Sequence, residues 1–210
     1  MDATELSAAE PRPAGEIVYP ERDGEPMAET GSHVMAMVLL IATLRAWFRH
    51  KRDVYVIGNI FLYYSEGDAT ARKSPDLMVI RGVEPGERRS FKTWEERAVP
   101  CFIMEVTSEG TANEDLEAKR RLYQELGVRE YFLFDPLGEY LERPLIGYKL
   151  IGDEYEPLMP AEDGGLLSQE LGLRLVPEGE GLALFRWKDG QRLPAPQDIL
   201  QLQEEAREQA

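Results

Sequence analysis

The chain has 210 residues, 43% of them hydrophobic and 30% charged, enough length for one full-sized core and a composition that excludes fibrous and wholly disordered classes. Its formal net charge of −15 argues against broad electrostatic binding of phosphate backbones, an affinity that comes mostly from Lys and Arg neutralising phosphates. No secretory signal opens the sequence and no apolar run reads as a membrane span, so a cytoplasmic protein without membrane association is expected, its single cysteine, Cys101, a buried thiol without a catalytic role.

Residues 1–15, rich in Ala, Pro and Glu, read as a flexible leader, 16–190 as a single domain and 191–210 as a polar terminal helix or tail. Over 32–49 the residues Met37, Leu40, Ile41, Leu44, Trp47 and Phe48 recur at helical spacing, with Arg45 and Arg49 near the end where the helix dipole favours cations. The runs in DVYVIGNIFLYYSEG flank Gly58-Asn59, a turn signal that predicts a hairpin or a closely linked strand pair. DLMVIRG (76–82) and VPCFIMEV (99–106) are near-continuous apolar runs, the pattern of strands covered on both faces. The charged stretch between them reads as an excursion at the sheet edge. A helix is predicted over 113–126, with acids in its first turn and Gly127 as its stop, feeding the strand REYFLFDP. Strand, helix and strand in this order predict two parallel neighbours and an α/β fold. Beyond Pro136 the pattern is of short antiparallel strands.

Glu105 stands in the middle of FIMEVTS, where an unpaired carboxylate would cost several kcal/mol, so it needs a reason. On the helix that follows, Leu116, Lys119, Leu122, Tyr123 and Leu126 share one stripe, which turns the Lys119 ammonium toward the sheet that carries Glu105. A lone lysine in such a place would usually snorkel to water. Asp76 opens its strand after Ser74-Pro75; it could cap a turn, or converge on Glu105 if the two strands are neighbours. Glu29 and His33 extend the inward face of the first helix, with a dipole-favoured acid and a hydrogen-bonded core histidine as their ordinary readings. Two convergent carboxylates repel, and Lys119 with a divalent cation would offset them. Mg²⁺ or Mn²⁺ suits such oxygen donors, and the chemistry that follows is phosphodiester hydrolysis. The negative net charge is not uniform: Arg72 and Lys73, Arg88, Arg89 and Lys92, and the run from Lys119 to Arg121 are locally basic.

The order Ser74-Pro75-Asp76, then Glu105 in EVTS, then EDLEAKRRLYQELGVREYFLFDP resembles the Uma2-type (DUF820) endonucleases, a bacterial branch of the PD-(D/E)XK restriction-endonuclease-like superfamily. EPMAETGSHV and DVYVIGNIFLYY are similar to stretches of the same family, and the likeness runs from PMAETGSHV to the RLVPEG region. The resemblance implies a restriction-endonuclease-like core, a central mixed β-sheet flanked by helices, with a metal held by Asp76 and Glu105 and Glu29 matching the acid often found on the first helix. The wider superfamily carries a lysine two residues after the glutamate. Here that position is Thr107, and the family's pattern offers Lys119 instead. The expected activity is a metal-dependent endonuclease acting on DNA rather than RNA, with a homodimer as the candidate assembly. The alternative is an inactive nucleic-acid- or protein-binding module on the same scaffold, favoured by Thr107 and by the acidic surface.

Overall fold

The computed structural model describes residues 17–21 and 31–195; the leader, Glu29 and the terminal helix expected above lie outside the described residues. In chain order the elements are α1 (Gly31–Phe48), β1 (Val54–Ile57), β2 (Phe61–Tyr63), β3 (Arg72–Lys73), β4 (Leu77–Arg81), β5 (Ser90–Lys92) and the single turn α2 (Thr93–Glu96). There follow β6 (Phe102–Val106), a π-helical stretch (Glu114–Lys119) continuing as α3 (Arg120–Glu125), then β7 (Glu130–Phe134), β8 (Leu145–Ile151), β9 (Glu154–Pro157), β10 (Leu166–Ser168), β11 (Leu173–Glu178) and β12 (Gly181–Arg186).

Six strands form the main sheet in the order β1-β4-β6-β7-β8-β9. The β6–β7 pair, joined by the helix, is parallel; the other pairs are antiparallel. The sheet is therefore mixed, as expected from one crossover unit among short reversals. Both faces are covered, which is why β4, β6 and β7 are apolar at nearly every position. On one face Phe102, Met104, Val106, Phe132 and Phe134 pack with Met37, Leu40, Leu44 and Phe48 of α1. On the other, Ile103, Tyr131, Leu133, Met78 and Ile80 pack with Tyr123 of α3. Leu44 is 1% exposed, and Leu44→Ala in such a site costs about 2–5 kcal/mol.

Three details depart from the sequence reading. The runs flanking Gly58-Asn59 are not a hairpin: β1 pairs with β4 in the main sheet, while β2 lies between β3 and β5 in a second, three-stranded sheet. The turn signal marks a passage from one sheet to the other, and Asn59 adopts φ 55° there. The charged excursion supplies β5, parallel to β2, because Phe91 is a buried anchor in it. Finally, α1 has 18 residues and a mean hydropathy of 1.4, long and apolar enough by length and composition to cross a bilayer. Its sheet-facing residues are those of a core helix, and Met35 and Val38 on the outer side raise the mean.

Candidate active site

Extending the β4–β6 register past Leu77↔Met104 brings Asp76 opposite Glu105. The Asp76 backbone N–H stands 3.4 Å from Glu105 Oε2, and Asp76 Oδ2 accepts the Val106 backbone N–H at 2.8 Å. These hydrogen bonds continue the strand ladder through side chains, so both acids are held at the same end of adjacent strands. Gly58 sets the height of Asp76 from the other side. A Cβ on Gly58 would stand 1.9 Å from the Asp76 carbonyl oxygen, an impossible contact, and the Asn59 N–H bonds the Pro75 carbonyl at 2.8 Å. The glycine is required by close backbone approach, a reason for glycine independent of φ.

Glu105 shares a face of β6 with Ile103, opposite Met104 and Val106, and points to the α3 side, where it is 1% exposed. Tyr123 donates its hydroxyl to Glu105 Oε1 at 2.9 Å. Lys119 Nζ lies 3.2 Å from Glu105 Oε2 and 2.7 Å from Asp115 Oδ1. The π-helical stretch explains the second contact: its wider turn, closed by i→i+5 bonds, brings Asp115 and Lys119 nearly above one another on the inward face. Such turns are rare and cluster at functional sites.

The electrostatics follow from burial. Three carboxylates, Asp76, Glu105 and Asp115, share one ammonium in a poorly hydrated place. Burial pushes the Glu105 carboxyl up to about 8; Lys119 opposes the rise, and Asp76 and Asp115 add to it. Burial also raises Asp115, again against the pull of Lys119. Burial alone would lower the Lys119 ammonium, but Glu105 and Asp115 outweigh it and hold the group protonated well above its ordinary range. With its acids ionised, the cluster carries three negative charges against one ammonium.

The other expected residues fall unevenly. His33 Nε2 is 3.4 Å from Asp76 Oδ2, so the first helix does reach the site. Thr107 is buried, its N–H bonds Phe134 O at 2.7 Å, and its hydroxyl has no hydrogen-bond partner among the described residues. No described contact ties it to Glu105 or Lys119. Glu29 lies outside the described residues, and among those described no group of three His, Cys, Asp or Glu side chains is arranged to hold a metal ion. The two acids that remain are hard oxygen donors at adjacent strand ends, Asp76 is partly exposed, and the local excess of negative charge suits a divalent cation. Asp115, Tyr123 as a hydrogen-bond donor, and Gly58 went unrecognised in the sequence. Asp115 was legible in principle, since it precedes Lys119 by four residues on the same stripe.

Comparison with known proteins bears on the family and the fold. The profile of the Uma2 family, described as "Putative restriction endonuclease", matches residues 8–204. The chain belongs to the Uma2 family. Among solved structures, that titled "Crystal structure of a putative nuclease belonging to DUF820 from Anabaena variabilis" is similar with a TM-score of 0.50 and 14% identity, covering 68% of this chain and 75% of that one. At that identity the likeness bears on fold, and it supports a nuclease-like mixed α/β architecture. No curated protein matches the sequence.

Proposed function

We propose that this Uma2 protein is a metal-dependent endonuclease that hydrolyses nucleic-acid phosphodiesters, DNA in preference to RNA. The observation that carries the reading is the meeting of Asp76, Glu105 and Lys119, from two strands and the crossover helix, within 3.4 Å of one another through successive contacts. Asp76 and Glu105 would hold Mg²⁺ or Mn²⁺, with Glu29 as a further candidate ligand. Bound there, the ion supplies Lewis-acid stabilisation of the phosphate and a lowered pKa for a coordinated water.

The chain's own residues have separable tasks. Tyr123 fixes one oxygen of Glu105, leaving Oε2 directed toward Lys119 and Asp76. Asp115 holds the Lys119 ammonium at the strand ends, where it can orient a nucleophile or offset charge developing on phosphate oxygens. The Val106 N–H fixes Asp76 Oδ2 and thereby the direction in which the partly exposed carboxylate presents its other oxygen. His33 buttresses Asp76 from α1.

A second reading has its own observation: Lys119 already contacts two buried acids, as in a structural ion cluster of an inactive binding module. Plasmid, linear duplex, single-stranded DNA and RNA should be incubated with Mg²⁺ or Mn²⁺ and with wild type, Asp76→Ala, Glu105→Ala and Lys119→Ala. Metal-dependent cleavage of DNA that disappears in the variants supports the enzyme. Cleavage unchanged in all three removes the site assignment, and binding without cleavage of any substrate favours the inactive module.

A further inference from the structure

A cleft of about 480 Å³ lies along β1, the outermost strand at one end of the main sheet. Its walls are the C-terminal part of α1 with the residues just after it (Arg45, Phe48, Arg49, Lys51) and the loop that carries Pro85 and Arg88. In a protein of net charge −15, this cleft is lined by four cations and one acid, Glu87. Two of the cations are already placed by the fold. Arg45 Nε donates to the Val56 carbonyl at 3.0 Å, and Arg88 stacks over the Tyr55 ring at 4.6 Å while pairing with Glu96. Arg49 and Lys51 are exposed at the rim.

The dipole of α1 accounts for basic residues in its last turn. It does not account for Arg88, which arrives from a separate loop, or for the convergence of both segments on β1, which among the described residues has β4 as its one strand partner. The cleft also has a direction. It follows β1 from Val54 to Ile57, and the next residue, Gly58, abuts the Asp76 backbone. Tyr55 lies on the same face of the sheet as Ile103, which is two residues before Glu105 on β6 and so shares the side of the acidic cluster. Four strand residues span about 13 Å, and a nucleic-acid strand carries one charge per about 3.4 Å of axis, so a few consecutive phosphates fit that length.

We propose that the β1-edge cleft binds the sugar-phosphate backbone of the substrate beside the scissile position, with Arg49 and Lys51 contacting phosphates and Arg45 and Arg88 setting the floor. This inference rests on the nuclease reading for the identity of the ligand. It resolves the conflict between an acidic protein and a polyanionic substrate: the attraction is local and leads to the site.

The test measures binding of labelled duplex and single-stranded DNA by fluorescence anisotropy, in EDTA and over a series of salt concentrations, with full-length wild type and R49Q/K51Q. The expected result is an affinity loss on the order of tenfold or more and a salt slope shallower by about 2 for the double variant, the change for two phosphate contacts. Its melting temperature should match wild type, because both side chains are exposed. Equal affinity and slope for the two proteins, or absence of DNA binding by wild type, overturns the proposal. So does competition by a poly-glutamate peptide as effective as unlabelled DNA of equal charge, which would make the cleft a site for acidic protein segments. Asp76→Ala separates the two readings: retained binding that R49Q/K51Q weakens, with no cleavage by wild type under any metal, would leave the cleft standing and remove the catalytic assignment.

Discussion

Two buried carboxylates at the same end of neighbouring strands are satisfied in opposite ways. Asp135, directly after β7, is 1% exposed and accepts four backbone N–H groups, from Leu137, Gly138, Tyr140 and Leu141, at 2.6–3.1 Å. Glu105, on β6, is equally buried, yet its partners are a tyrosine hydroxyl, one long contact to a backbone N–H, and a lysine shared with a second acid. Backbone donors from one local loop saturate Asp135, which has no ion-pair partner among the described residues, and this is how a carboxylate fastens a turn. Side chains from distant segments leave Glu105 strained by like charges, the arrangement that perturbs ionisation at functional sites. The contrast separates an acid that holds the fold from one that, in the function proposed above, the fold holds for chemistry.

The sharpest break of that contrast is catalytic. Replacing Glu105 by Gln should lower metal-dependent cleavage by on the order of 10²–10³-fold, read as initial rates on supercoiled plasmid, whereas Asp135→Asn should leave the rate per folded molecule within about twofold, a barrier change of about 0.4 kcal/mol. Comparable losses in both would erase the distinction. Next in size is Lys119→Met, which strands Glu105 and Asp115 without their cation. Denaturant unfolding without metal, at a pH above 8 where Glu105 is ionised, should show about 3–5 kcal/mol lost, and a variant as stable as wild type there would mean that the acids do not depend on this cation.

Asp135→Ala should cost about 2–3 kcal/mol by removing the acceptor of several N–H groups, with no change in the response of the melting temperature to Mg²⁺. Tyr123→Phe should cost about 1–2 kcal/mol, but here the Mg²⁺ response should change because Glu105 loses its fixed orientation. An unaltered Mg²⁺ response would argue that the hydroxyl only fills a gap.

The smallest effect is in pH. A carboxyl raised from its ordinary value to about 8 binds its proton in the folded state while the unfolded chain has released it. Metal-free stability should therefore fall as pH rises from about 4.5 to about 8. Mg²⁺ binding needs the carboxylates ionised, so the Mg²⁺-induced gain in melting temperature should grow over the same window. Thermal melts with Mg²⁺ and with EDTA across that range decide it; a gain that is flat with pH would place the ion away from Glu105.

Much of this was legible in the residues. The apolar runs around Asp76 and Glu105 specified central strands because both faces are covered, and the stop at Gly127 fixed the end of the crossover helix. Lys119 was readable as inward from helical spacing alone. The misreadings share one cause: local turn chemistry does not say which strand a segment will pair with. Gly58-Asn59 carries a hairpin signal, but its glycine answers to the Asp76 backbone, a contact formed only after β4 is in place. Asp115 is different: its i,i+4 spacing to Lys119 is visible on a regular helical wheel, while the acids around it in the first turn are equally explained by the helix dipole, and the π winding itself leaves no mark in the sequence.

That stretch has an evolutionary corollary. A π turn amounts to one amino acid wound into a helix beyond what ordinary pitch needs, so it behaves like a stored insertion whose removal leaves the flanking spans intact. Deleting one residue between 115 and 119 would restore regular winding with Lys119 still above β6, and would leave Asp115 three positions before it, offset by roughly 60° instead of nearly aligned. Relatives without the insertion would hold their lysine by other means, and a deletion variant that folds with native circular dichroism yet loses its Mg²⁺-dependent melting shift would show that the irregularity is kept for the charge it places.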